Sequence, residues 1–402
     1  MKLIRNSKLA LGGILVAGLA ACGGGGGGSA STESSGTLRL ALSDAPACGY
    51  DAVNVTIEKV RIHQSDSANP DDPNGWSEIV MTPALRVDLL KLQNGALAEL
   101  GELTLSTGSY NQMRLVLADN QTSALANSVV LTSNKTEVAL KTPSGQQSGV
   151  KAKQFNLTIA ANQLANFVVD FDACKSVVAA GNSGQYLLKP QLSVLPRYIS
   201  GVTGFVDATM ANGFTSVSLQ QNGVVIKATA PNSDAVNSTN FGKFMLQPVA
   251  PGNYSLVLTA PGRTTAVVTN LAVVADMVTR INTADTALNP APSASGTVTG
   301  TAPLDTLVYA LQPLAAGPTV QVAGRFVDGI AGNLTLGRYT YPLTVNAPLV
   351  APYVAGLPLV FVNDPVAGKY TLNASLTGYA DKVTVLPTLA AGATVQSNLT
   401  FP

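Results

Sequence analysis

Charge is scarce in this 402-residue sequence: Asp, Glu, Lys and Arg together make up 12% of it. That excludes a chain kept unfolded by charge repulsion and a coiled coil, while 46% hydrophobic residues leave ample material for packed cores. The net charge is +1, and Lys2, Arg5 and Lys8 stand in an N-terminal segment expected to be removed; without them 21 basic residues face 23 acidic. Nucleic-acid binding needs a basic excess to neutralise phosphates, so that partner class is set aside. Histidine occurs once, so a Ser-His-Asp or Cys-His site would have to be built on His63. It ends the apolar alternation Val60, Ile62 and reads as a strand-end surface residue. Tryptophan also occurs once: Trp76 could stack on a sugar ring, but its place between a turn and Ile79 reads as a core or rim position. The three cysteines show no CxxC spacing, which argues against zinc. The glycine run Gly23 to Gly28 lacks the lysine of a phosphate loop, so no nucleotide motif is present and no cofactor is implied.

What is present begins with a positively charged start, Met1 to Lys8, and an apolar stretch from Leu9 to Ala20. About a dozen apolar residues suit a signal-peptide core and fall short of the roughly 20 needed to span a bilayer. The stretch ends in Leu19-Ala20-Ala21-Cys22, which resembles the lipobox of bacterial lipoproteins. The resemblance implies cleavage of residues 1–21, lipidation of the Cys22 thiol, and anchoring to a membrane in the cell envelope. Gly23 follows where an aspartate would favour inner-membrane retention, so the expected address is the outer membrane. Residues 22–36, rich in Gly, Ser and Thr, read as a flexible tether.

From Thr37 onward the pattern is short strands joined by turns, and the expected fold class is all-β. Leu38, Leu40 and Leu42 alternate with polar or small residues, as do Val53, Val55 and Ile57. The phase then slips to Val60 and Ile62, which predicts a β-bulge near Glu58-Lys59. Only Asp88 to Leu92 and Ala96 to Leu100 have the character of helical turns.

Gly36-Thr37-Leu38, Leu42-Ser43-Asp44-Ala45-Pro46, Val87-Asp88-Leu89-Leu90, Asn94-Gly95, Gly108-Ser109-Tyr110 and Leu187-Leu188-Lys189-Pro190 occur in the order of the family called domain of unknown function 4382, which residues 37–197 resemble. That family brings no chemistry with it. Residues 198–289, with Gly201-Val202-Thr203-Gly204 and Pro251-Gly252-Asn253-Tyr254, resemble a carboxypeptidase regulatory-like domain, a small prealbumin-like β-sandwich. After the proline-rich joint Asn289 to Pro292 the theme restarts at Ser295, and Gly368-Lys369-Tyr370 echoes Gly252-Asn253-Tyr254. Residues 290–402 are therefore expected to form a second, divergent sandwich with an insertion-like stretch around Pro342 to Pro358. Tyr254 and Tyr370 are expected in equivalent places, with rings inward and hydroxyls near the edge.

With Cys22 lipidated, Cys48 and Cys174 remain as a pair in an oxidising compartment, and the arithmetic favours a disulfide over two buried thiols. Asp66, Asp71 and Asp72 lie in one loop with Asn69 and Asn74, oxygen donors suited to Ca²⁺. Their order does not match an EF-hand loop, and Pro70 and Pro73 favour a rigid turn, so no metal is assigned. Asp170 and Asp172 share one side of their strand and either bind a cation or face water. No catalytic residues are assigned. The expected role is a non-catalytic envelope lipoprotein, structural, adhesive or ligand-positioning, with an envelope protein or glycan as partner. A carbohydrate- or small-ligand-binding module is the alternative, and a hydrolase built on paired carboxylates is the third reading.

Overall fold

Alternating apolar residues put about half of the chain into strands and almost none of it into helix. The computed structural model describes residues 34–44, 49–72, 74–120, 125–143, 149–152, 155–234 and 238–402. The fold is all-β. The expected signal segment and Cys22 lie outside the described residues, as do most of the expected tether and Cys48.

In the first region the strand Ser35–Asp44 runs parallel to Leu164–Phe171 and antiparallel to Ala98–Ser106, with Leu192–Pro196 completing a four-stranded sheet. A second sheet is built around the long strand Tyr50–His63, which pairs with Ser77–Asp88, Gln112–Leu117 and Ser128–Leu131. Leu38 and Leu40 of the first sheet and Ile57, Met113 and Leu115 of the second are fully buried in one core. The bulge falls where the phase slip placed it: the register shifts between Ile57 and Lys59, leaving Glu58 exposed while Ile57 and Val60 both face the core. Leu89–Lys91 is a single 3₁₀ turn, capped by the Asp88 carboxylate, which accepts from the Leu90 N–H at 3.2 Å and from the Val53 N–H at 3.1 Å. The second expected helical turn is instead strand from Ala98 onward. There Leu100 and Leu105 are buried and the segment pairs along Ser35–Asp44, so tertiary pairing overrides a neutral local preference.

The second region holds the three-stranded sheet of Gly201–Phe205, Lys243–Leu246 and Val278–Arg280, and a larger sheet. Four strands of the larger sheet, Ser216–Gln221, Val224–Thr229, Gly252–Thr259 and Ala266–Val273, are local. Two more come from far along the chain: Leu349–Pro352 runs parallel to Ala266–Val273, with Ala266 opposite Leu349, and Val362–Asn363 pairs beside it. The insertion-like stretch thus completes a sheet across the Asn289–Pro292 joint, and its Leu349, Tyr353, Leu359 and Phe361 pack on the second region's core. In the third region Ser295–Pro303 pairs with Leu336–Thr344 and Thr394–Gln396, while Leu307–Gln312 pairs with Val320–Phe326 and Thr371–Ser375. Residues 34–402 close into one unit.

One device recurs in all three regions. Tyr110, Tyr254 and Tyr370 each follow a Gly-x pair, and each ring is buried. The Tyr110 hydroxyl donates to the Ser106 carbonyl at 3.0 Å, and Tyr254 to Ala250 at 2.9 Å, each four residues upstream. Tyr370 donates to the Thr344 carbonyl at 2.5 Å. These hydroxyls bond the backbone, which is how a buried phenol stays satisfied.

Candidate functional site

The three regions meet where the strand Leu164–Phe171 ends. Asp170 is the strand's last residue but one, and Asp172 follows its end as the cap of the next turn. Neither faces water or waits for a cation, because each holds a lysine. Asp170 pairs with Lys227, which reaches across from the strand Val224–Thr229 of the second region. The Lys227 ammonium also donates to Ser43 Oγ at 2.9 Å, and Ser43 donates to Asp170 Oδ1 at 2.6 Å. Lys227 is 4% exposed and Asp170 8%, so the ion pair is nearly dry. Asp172 caps the one-turn helix Ala173–Ser176, accepting from the Lys175 N–H at 2.9 Å, and its carboxylate holds the Lys175 ammonium at 2.6 Å. Burial opposes the Lys175 charge, but Asp172, through charge and hydrogen bond, together with Tyr309 and Asp170, offsets this and leaves the lysine above its ordinary pKa.

Asp44, next to Ser43, points to the other face of its strand. Its Oδ1 accepts from the Ala173 N–H at 2.9 Å, while the buried Oδ2 has no hydrogen-bond partner among the described residues. Burial pushes its pKa well above the ordinary carboxylate value; the Ala173 N–H and Lys227 pull it down, and the charges of Asp172 and Asp170 add to the rise. A group that keeps its proton in the folded state contributes most below its unfolded pKa and loses that contribution as pH rises toward its folded value. Asp44→Asn, which carries no charge at any pH, should remove this slope. Its melting temperature is expected to gain on the wild type as pH is raised from about 4 to about 8. Parallel melting curves across that range would show that Asp44 is ionised in the folded chain.

Around Lys175 and Asp172 the three regions enclose an open cavity of about 600 Å³. The first region contributes Gly49, Tyr50 and Cys174, the second Phe214, Ser216 and Arg263, and the third Arg325, Tyr341 and Tyr370. Arg325 is held by Asp328 at 2.5 Å. Arg263 donates to Asn289 Oδ1 and the Pro290 carbonyl, both at 3.1 Å, and to Thr209 Oγ1 at 2.9 Å. Behind the cavity, Gln220, 2% exposed, clasps the backbone of Gln321 with both amide atoms, at 2.7 and 2.8 Å. Asn94 of the first region exchanges bonds with Thr229 and accepts from the Met245 N–H at 3.0 Å. Lys189 pairs with Asp305 of the third region.

The other residues singled out in the sequence lie elsewhere. His63 and Trp76 pack with tilted rings, centroids 5.1 Å apart, Arg61 lies over the Trp76 ring, and the indole donates to the Asn69 carbonyl at 3.2 Å. Asp72 and Asn69 turn their side-chain oxygens to the N–H groups of Asn74 and Asp71 within their own loop. The backbone carbonyl of Asp66 accepts from Lys151 at 2.5 Å. Among the described residues no three His, Cys, Asp or Glu side chains are grouped to hold a metal ion. Cys174 is engaged rather than free. Lys227, Ser43 and Gln220 were not foreseen, although a lysine inside the apolar run Val224-Val225-Ile226-Lys227-Ala228 is the kind of mismatch that marks a buried partner.

Residues 35–190 match the family described as "Domain of unknown function (DUF4382)". No curated protein matches the chain. Among solved structures, the Bacillus anthracis TIE protein is 10% identical over 92% of this chain and 51% of that one, with a TM-score of 0.17; this chain spans about half of that protein's length. A streptococcal ancillary pilin is 11% identical over 90% of this chain and 98% of that one, with a TM-score of 0.15. A Ca²⁺-stabilized adhesin with which an Antarctic bacterium binds ice is 10% identical over 90% of this chain and 74% of that one, with a TM-score of 0.11.

Proposed function

We propose that the chain is a non-catalytic lipoprotein, lipidated on Cys22 and anchored in the outer membrane, whose three β-regions form one block that positions a partner at the cell envelope. The carrying observation is how the second region is locked from both sides. A buried ion pair ties it to the first region, and a borrowed strand ties it to the third. An enzyme that opens around substrate is poorly served by such locks, whereas a protein that holds or presents a surface is well served. Family residues support the same reading through what they touch. Asp88 caps a turn, Tyr110 bonds the backbone, Asn94 bonds the second region and Lys189 the third. Residues 198–289 and 290–402 are taken as carboxypeptidase regulatory-like units that share strands. The partner is an envelope protein or glycan.

The anchor is tested directly. Cys22→Ser should move the protein from the detergent phase to the aqueous phase and leave the uncleaved precursor in the cell. A serine variant that still partitions with lipid would place the anchor elsewhere.

A Cys48–Cys174 disulfide belongs to this reading. Support comes from Gly49 and Cys174 lining the same cavity, and from Asp44 bonding the Ala173 N–H, which draws the chain on either side of the cysteines together. Closing a loop of more than a hundred residues stabilises a domain by about 4–5 kcal/mol in the chain-entropy model. Thiol labelling of the denatured, unreduced exported protein should find neither cysteine reactive. Labelling of both would refute the pairing.

A further inference from the structure

We infer that the three-region cavity is a saccharide site, one that takes a neutral or singly acidic sugar unit against Phe214. The step goes beyond the positional role and does not depend on the lipid anchor. About 600 Å³ suits a small ligand, and a junction of three regions is a common place for one. The lining carries charge but little net charge. Lys175 is held by Asp172 and Arg325 by Asp328, while Arg263 is bonded only to neutral oxygens. A polyphosphate would meet Arg263, itself near the charge of Asp207, and a carboxylate in the wall, which is too little positive charge to repay its desolvation. An acyl chain would strip water from the two ion pairs and return no hydrogen bonds.

A sugar fits both halves of the wall. Its C–H face suits an aromatic ring, and Phe214, 52% exposed, is one of the lining residues. Its hydroxyls both donate and accept, so they match the arginine and carboxylate groups and the hydroxyl residues Ser216, Thr259 and Ser295 that line the same space. Placing the guanidinium of Arg263 in the wall also gives a single carboxylated sugar a counter-charge without requiring one.

The test is calorimetric titration of the exported chain with chitotriose, maltotriose, cellotriose and trigalacturonate, with palmitate and ATP as the competing ligand classes. At least one saccharide is expected to bind. Phe214→Ala should weaken it about tenfold or more, and Trp76→Ala, outside the cavity, should leave it unchanged. Phe214 is exposed enough that its alanine variant should keep the wild-type circular dichroism spectrum. The inference falls if no saccharide binds up to about 10 mM. It also falls if binding survives Phe214→Ala or is lost in Trp76→Ala, or if palmitate or ATP binds in place of the sugars.

Discussion

Asp170→Ala should cost the folded chain about 3–5 kcal/mol, because it leaves the Lys227 ammonium buried without its counter-charge. Lys227 is 4% exposed, and its other partner, Ser43, offers only a neutral oxygen. The double variant Asp170→Leu with Lys227→Met removes both charges and should recover most of the loss, since a buried pair is weak evidence of net stability even when breaking it is costly. Denaturant unfolding of the exported wild-type, single-variant and double-variant chains reads this as a cycle. A mild single variant, or a double variant as damaged as the single, would mean that Lys227 reaches water or that the pair does not join the two regions in solution.

Replacing residues 349–362 with a short Gly-Ser link should destabilise the second region by about 3–5 kcal/mol, even though the replaced stretch belongs to the third. Leu349, Tyr353, Leu359 and Phe361 would no longer cover the second core, and each partly buried apolar side chain contributes roughly 1 kcal/mol. The edge of Ala266–Val273 would also lose its parallel partner, in which the Leu349 N–H donates to the Thr265 carbonyl at 2.9 Å and the Tyr353 N–H to Thr269 at 2.8 Å. An uncovered edge is an aggregation site. Hydrogen exchange should therefore quicken at residues 266–273 and stay unchanged in Ser35–Asp44. Unchanged protection at 266–273 would show that the borrowed strand is dispensable.

Much of the fold was legible because burial on one face writes a period of two into the sequence. The strands around Leu38, Val55 and Met113, the bulge at Glu58-Lys59 and the inward rings of Tyr254 and Tyr370 follow from alternation and turn residues alone. The borrowed strand was visible only as an excess, the insertion-like stretch near Pro342 to Pro358. Nothing local says which sheet such a stretch will join, because pairing partners are chosen by tertiary contact. The cavity and its lysines were less legible still. Asp170 lies in its strand as expected, but Asp172 lies beyond the strand's end, and their partners come from Lys227, 57 positions away, and from the next turn of the chain. Charge pairing across regions leaves no periodic trace. The short helix Ala173–Ser176 was missed for a related reason: it is a single turn fixed by the Asp172 cap and the Asp44 carboxylate rather than by any apolar stripe.

Differential scanning calorimetry of residues 34–402 tests most directly whether the three regions act as one block. The locks at Lys227, Gln220 and Leu349–Pro352 predict one transition with matching calorimetric and van't Hoff enthalpies, which splits when residues 349–362 are replaced. Two or three separable transitions in the unaltered chain would contradict the account, since the regions would then unfold independently and could not hold a partner between them.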